Sequence, residues 1–289
     1  MKRRTRLGVA IGGLAAIALG GQALAFSGST NGSFETGTYV DGGSGFEPLS
    51  AGDTSITGWT VDSGSVDWIG TYWTAEDGSM SLDLSGVDAG TISQTLATTI
   101  GNTYTVSFFL SGNPAGLPTL KTLDVTATGA APATYTYDVT GNDLTHMNWM
   151  AETYSFLATS SSTTLSFVST TAGPFGPALD NVTITETVPT KSDCKNGGWQ
   201  SMIDNAGNSF KNQGDCVSYF ATGGKNPGAI APVSTANLGA AGAGDGSPRH
   251  SDKTSNPSHV GHSDVGAGAK DRPKNHAGGQ HGNHGHHSH

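Results

Sequence analysis

From Asn31 to Glu186 the chain alternates apolar and polar positions in short runs, broken by Gly, Pro, Asn and Asp. In "TYTVSFFLSG" an extended backbone puts Tyr104, Val106, Phe108 and Leu110 on one side and Thr105 and Ser107 on the other. "STTLSFVST" repeats the period of two with Leu165 and Phe167, and "DNVTITE" with Val182 and Ile184. Such runs are half-buried strands. About nine or ten of them, at roughly 8–12 residue spacing, predict an all-β antiparallel sandwich of the jelly-roll kind. The stretch shows no helical period, which argues against a parallel α/β fold.

The pattern changes at both flanks. The first 25 residues carry four basic residues, an apolar run from Leu7 to Leu19 and then Ala23-Leu24-Ala25. Together these read as a secretory signal cleaved after Ala25, since the run is shorter than the roughly 20 residues that span a bilayer. No later segment is apolar for long enough to act as a transmembrane anchor. The sandwich is therefore expected over 27–190 of an exported chain. A second unit is expected over 191–227, where Cys194 and Cys216 are the only cysteines. In an exported chain an even pair most simply forms one disulfide, worth roughly 3 kcal/mol in the chain-entropy account. Within the unit, "NQGDCVSYFATGGKN" reads as an Asp215 N-cap, a short helix and a Gly223-Gly224 stop. Residues 228–289 hold nine of the ten histidines in a Gly-, Ala- and Ser-rich context. That composition predicts a disordered tail, either simply solvated or a loose ligand for zinc, copper or nickel.

Charge narrows the partners. Between Ser27 and Thr190 there are sixteen Asp and Glu against a single Lys or Arg, Lys121. Nucleic acid is excluded, because nothing there neutralises phosphate. Neutral polymers, cations and basic surfaces remain.

The chemistry that stands out is aromatic. "SVDWIGTYWTAEDG" places Trp68, Tyr72 and Trp73 within six positions. Alternation puts Trp68 with Val66, and Gly70 breaks the strand so that Tyr72 and Trp73 point to different sides. The three rings cannot all enter one core. A flat ring with a polar edge in water stacks on the apolar face of a sugar, while neighbouring amides and carboxylates take its hydroxyls. The candidates for such a platform are Trp59, Tyr72, Trp73 and Trp149, with Asp67, Gln94 and Asn113 as polar partners; the competing reading of each ring is core packing. For hydrolysis, Asp67, Glu76, Asp77 and Asp83 could supply two carboxylates, yet sixteen acids make any pair uninformative. His146 is the sole histidine of the stretch, and no nucleophile motif accompanies it, so the expectation is a protein that is not an enzyme. A structural matrix or adhesion protein without a specific ligand is the alternative.

"NGSFE" at 31–35, "SVDWIGTYWTAEDGSMSLDLSG", "GTISQTLATTIGNTYTVSFFLSGNPAG", "LKTLDV" and "GPALDNVTI" together resemble the choice-of-anchor C family of bacterial exported proteins. That family is similar to the plant cell-wall proteins built on domain of unknown function 642, and both resemble galactose-binding-like jelly rolls. The resemblance covers roughly 30–187 and implies association with a polysaccharide or cell-wall glycan. It departs in having one module where plant members have two, and in lacking a membrane-sorting helix. "CKNGGWQ" resembles a short C-terminal segment of other exported bacterial proteins. "NGSFE" and "ALDNV" resemble the calcium-binding ends of carbohydrate-binding jelly rolls. The resemblance implies a structural calcium held by Glu35 and Asp180, with help from Ser33 and from the turn at Asp77 to Ser79. Six to eight oxygens suit Ca²⁺, and carboxylates from the first and last strands would clamp the chain ends. The competing reading makes Glu35 a surface carboxylate and Asp180 an Asx-turn residue.

Overall fold

The computed structural model describes residues 22–226. Twelve strands form two antiparallel sheets. The first sheet runs β10 (Met150–Leu157), β7 (Thr103–Gly112), β12 (Pro177–Val188), β5 (Ser81–Asp83), β4 (Ser65–Ile69), β2 (Phe46–Ser50), with β1 (Gln22–Ala25) also on β12. The second runs β3 (Thr60–Ser63), β6 (Thr91–Ala97), β11 (Ser162–Ser169), β8 (Leu120–Ala127), β9 (Ala133–Asp138). The expected jelly-roll sandwich is thus what the chain forms. The strand β1 lies inside the expected leader, and pairs Ala25 with Thr185 and Ala23 with Thr187.

Alternation is the cause of the layering. Tyr104, Val106, Phe108 and Leu110 of β7 face Leu165 and Phe167 of β11 across the sandwich, in one apolar cluster with Phe34, Trp59 and Trp68. Burial of such side chains contributes about 1.5–3 kcal/mol each. Where an indole is buried its N–H has a partner: Trp68 donates to the Phe34 carbonyl and Trp59 to that of Asn31, each at 3.0 Å.

The first sheet is irregular along β12. The β12–β7 register shifts between Asp180 and Thr183, and Asn181 adopts φ 48°. The bulge restores the inward aim of Val182 and Ile184 while turning Asp180 and Asn181 together out of the core.

The strand order gives the sandwich two ends. Loops 84–90, 113–119, 139–149 and 170–176 share one end; the turns 98–102, 128–132 and 158–161 share the other, where β12 also finishes. Beyond β12, residues to 226 build a small cluster of Met202, Phe210 and Tyr219 around the Cys194–Cys216 disulfide. Its helix α1 (Gln213–Ala221) is capped by Asn212, whose Oδ1 accepts from Asp215 N at 3.0 Å. The expected Asp215 cap is corrected: Asp215 sits in the first turn, because Asn212 is the residue with extended backbone. Gly223 and Gly224 follow at φ 64° and 81° and end the helix as expected. This unit rests against the far end of the sandwich, where a Cβ on Gly101 would lie 3.0 Å from the Ile203 carbonyl. No helix among the described residues is long and apolar enough to cross a membrane. The rest of the expected leader and the expected disordered tail lie outside the described residues.

Candidate functional site

The five residues expected around a cation do converge. All meet at the turn 76–80, between β4 and β5. Glu35 Oε1 accepts from Ser79 N and Met80 N, both at 2.7 Å, and its Oε2 accepts from Ser79 Oγ at 3.0 Å. From the other side Asp180 Oδ2 accepts from Glu76 N at 2.7 Å and Asp77 N at 3.1 Å. Ser33 Oγ donates to Asp77 Oδ2 at 2.8 Å, and Asn181 Nδ2 to Glu76 Oε2 at 2.8 Å. The β12 bulge is what delivers Asp180 and Asn181 to this turn. Gly78 is required there: φ is +62°, and a Cβ would fall 2.3 Å from Glu35 Oε1. Glu35 is an exposed carboxylate, as the competing reading has it, but it is not free: it and Asp180 clasp one turn from opposite sides. The clasp is closed by N–H donors, and no three His, Cys, Asp or Glu among the described residues are arranged to hold a metal ion. Burial pushes Asp180 up to about 7 despite the three backbone N–H groups that favour its charge.

The expected aromatic platform is corrected in four of its seven members. Trp59 is 3% exposed, in the main core. Trp73 is 4% exposed, donating Nε1–H to Ser81 Oγ at 2.8 Å. Gln94 is buried with its amide spent on Thr30 and Gly58. Asn113 is buried, donating to Asp83 Oδ2 and accepting from Ala115 N. Each is buried and held by packing or by partners within the fold, so none offers a face to a ligand. Tyr72, Trp149 and Asp67 remain partly exposed.

Those three share a surface. Tyr72 and Trp73 do not diverge as the break at Gly70 suggested; their centroids are 5.7 Å apart, in a second apolar cluster with Ile69, Met147 and Ala178. Ile69 and Ala178 point away from the main core, so this cluster covers the outer face of the first sheet. Two loops roof it: Thr74 N donates to the Leu144 carbonyl at 3.0 Å, and Trp149 Nε1 to the Thr74 carbonyl at 3.1 Å. Phe46, unnoticed in the sequence, meets Tyr72 edge-on at 5.3 Å. The short β5, buried throughout, and β4, buried at every position but Asp67, are the one signal that both faces of this sheet are covered. Beyond the roof the same face carries Thr105, Ser107, Thr183 and Thr185, with Thr105 Oγ1 and Ser155 Oγ 2.9 Å apart.

Asp67 stands two residues along β4 from Ile69, directly opposite Asp83 of β5. Asp83 is fully buried and accepts from Ser85 N, Gly176 N and Asn113 Nδ2. Burial raises Asp67 to about 6 and Asp83 to about 7. The buried Lys121 donates Nζ–H to the Phe175 carbonyl at 2.6 Å and to that of Gly116 at 3.0 Å. One peptide group, Phe175–Gly176, thus receives the ammonium at its oxygen and offers its N–H to Asp83. The cation and anion are joined through the backbone, and the loop end is pinned between them. Asp143 and His146, in loop 139–149, form an exposed turn with Nδ1 3.0 Å from Oδ1.

Two antiparallel sheets closed by a terminal clasp define a jelly-roll β-sandwich. Within that class the chain belongs to the family described as "Protein of unknown function (DUF642)", which it matches over residues 29–185. It is also 32% identical over 239 residues to halomucin of Haloquadratum walsbyi; the match takes in 75% of this chain and spans about 2% of the length of halomucin. Among solved structures it is similar to a family 61 carbohydrate-binding module in complex with β-1,4-galactotriose (15% identity, 54% of this chain and 96% of that one, TM-score 0.32). It is similar also to a family 22 xylan-binding domain of Paenibacillus barcinonensis (21% identity, 49% and 93%, TM-score 0.34).

Proposed function

We propose that the sandwich is an exported, non-catalytic glycan-binding module and that its ligand lies on the outer face of the first sheet. The observation that carries this is the roof. Tyr72 and Trp149 are each packed on one side against the second apolar cluster and partly open on the other. Trp149 has its N–H tied to backbone, so the ring is oriented before a ligand arrives. Rings fixed in this way stack on sugar at little entropic cost. Half-buried Asp67 and the Thr and Ser hydroxyls of the same face supply acceptors and donors beside them. The full chain is expected to be retained on at least one of a panel of insoluble polysaccharides. Tyr72→Ala and Trp149→Ala should each cut retention about tenfold, the effect of losing one oriented contact of roughly 1.4 kcal/mol. Retention unchanged in both variants refutes the face; no retention on any glycan favours the structural matrix role; release of soluble sugar favours a hydrolase.

A structural calcium at the clasp is the accompanying proposal. Its support is that Ser33 and Glu35 of the first segment and Asp180 of the last gather at the turn that holds Asp77 and Ser79. The Glu35 and Asp180 carboxylates now receive N–H groups and Asp77 the Ser33 hydroxyl, so a bound cation would displace some of these bonds. Exhaustive chelation is then expected to lower the melting temperature, with calcium restoring it. An unchanged melt assigns the whole junction to the N–H clasp.

A further inference from the structure

The two ends of the described molecule are chemically opposite. The single Lys or Arg of the sandwich, Lys121, is buried, so the sandwich exposes acids and no Lys or Arg at all. The exposed Lys and Arg side chains among the described residues are Lys191, Lys195, Lys211 and Lys225, all in the disulfide-closed unit. That unit also leaves Trp199, Val217 and Phe220 partly uncovered around its small core. The disulfide fixes Lys195, next to Cys194, beside the first turn of α1, whose N-cap Asn212 directly follows Lys211. The opposite end of the sandwich shows apolar tips: Val87 is 71%, Leu117 77% and Leu120 53% exposed. These are half of the large apolar side chains exposed among the described residues. Asp62, Asp88 and Asp138 lie exposed around them, on β3, loop 84–90 and β9. The tips are not slack. Lys121 ties loop 113–119 to loop 170–176, and the Phe175 ring fills the space where a Cβ on Gly116 would stand.

We propose that the loop end carrying Val87, Leu117 and Leu120 docks the disulfide-closed unit of a second copy of this chain, head to tail. The pairing matches an apolar centre with a charged rim, cationic on one side and anionic on the other. It cannot be satisfied within one molecule, because the unit is anchored at the far end, against Gly101. Membrane insertion by the tips is disfavoured, since the acids around them would be repelled from anionic headgroups. A contact between two different surfaces does not close at a dimer; it grows into a linear array unless its rotation forms a ring.

The test is sedimentation velocity of the full chain at low salt across rising concentration. Average mass should climb past the dimer, and added salt should reduce it. Leu117→Asp with Asp88→Lys removes the head, and Lys195→Glu with Lys211→Glu removes the tail; Val87→Asp is a second head variant should the first misfold. Each defect alone should raise the half-association concentration about tenfold or more. Mixing a head-defective with a tail-defective chain should give a 1:1 dimer that grows no further, since one intact head meets one intact tail. A chain that stays monomeric at all concentrations, growth that both sets leave untouched, or a mixture that forms no dimer overturns the proposal.

Discussion

At the scale of single residues, the decisive fact is how few of the expected polar partners are free. Gln94 and Asn113 carry the chemistry a glycan needs, yet both are buried and spent on the chain itself. Asp67 differs. It faces Asp83 across β4 and β5, and burial holds its carboxyl at about 6. A carboxyl raised in the folded state stabilises most fully below its unfolded value near 4, and that contribution is lost as pH rises through the folded value. Asp67→Asn removes the charge that develops opposite Asp83. The variant should melt with the wild type at pH 4 and above it at pH 8. Because Asp67 is partly in water the gain is no more than about 1 kcal/mol, or about 2–4 °C. Scanning calorimetry at the two pH values decides it; a uniform shift, or a loss at pH 8, contradicts the account. None of this was legible in the chain, because sixteen acids look alike until strands are paired.

At the scale of elements, β12 does two jobs. Its alternation buries Leu179, Val182 and Ile184, and its bulge turns Asp180 and Asn181 onto the 76–80 turn. Asn181 holds a left-handed conformation that other side chains adopt only at a cost, and donates to Glu76. Asn181→Ala loses both and should destabilise by about 2 kcal/mol in urea unfolding. Asn181→Gly, which keeps the backbone option, should recover part of that. Equal losses in the two variants would show that the side-chain bond alone matters. The period-two pattern announced β12, and the run "ALDNV" pointed to its special residues. The register shift that makes them useful depends on β7 and has no sign in the chain alone. The roof over the second cluster is a similar case: Trp73 meets Met147 because loops far apart in sequence fold over one face.

At the scale of the whole molecule, charge is segregated. The sandwich exposes acids without Lys or Arg, and such a surface repels itself. Raising ionic strength screens that repulsion and should raise the melting temperature, most steeply over the range where the Debye length falls from about 30 to 10 Å. A melt that falls with sodium chloride would mean that attraction between the lysine-bearing unit and its own sandwich outweighs the repulsion. Salt should therefore strengthen the fold of each molecule while weakening its contact with the next, and measuring melting and sedimentation on the same samples separates the two effects.

The alternation of side chains determined the layers and the inward residues of β7, β11 and β12, because a period of two buries one face whatever the strand order, and the single pair of cysteines determined the disulfide-closed appendage. Motif resemblance brought forward the residues of the clasp. Which tryptophans are available, where Lys121 spends its charge and which end of the molecule is apolar were decided only when the strands took their order. Exposure and hydrogen bonding are set by neighbours distant along the chain, and a single ring or carboxylate carries no mark of who those neighbours will be.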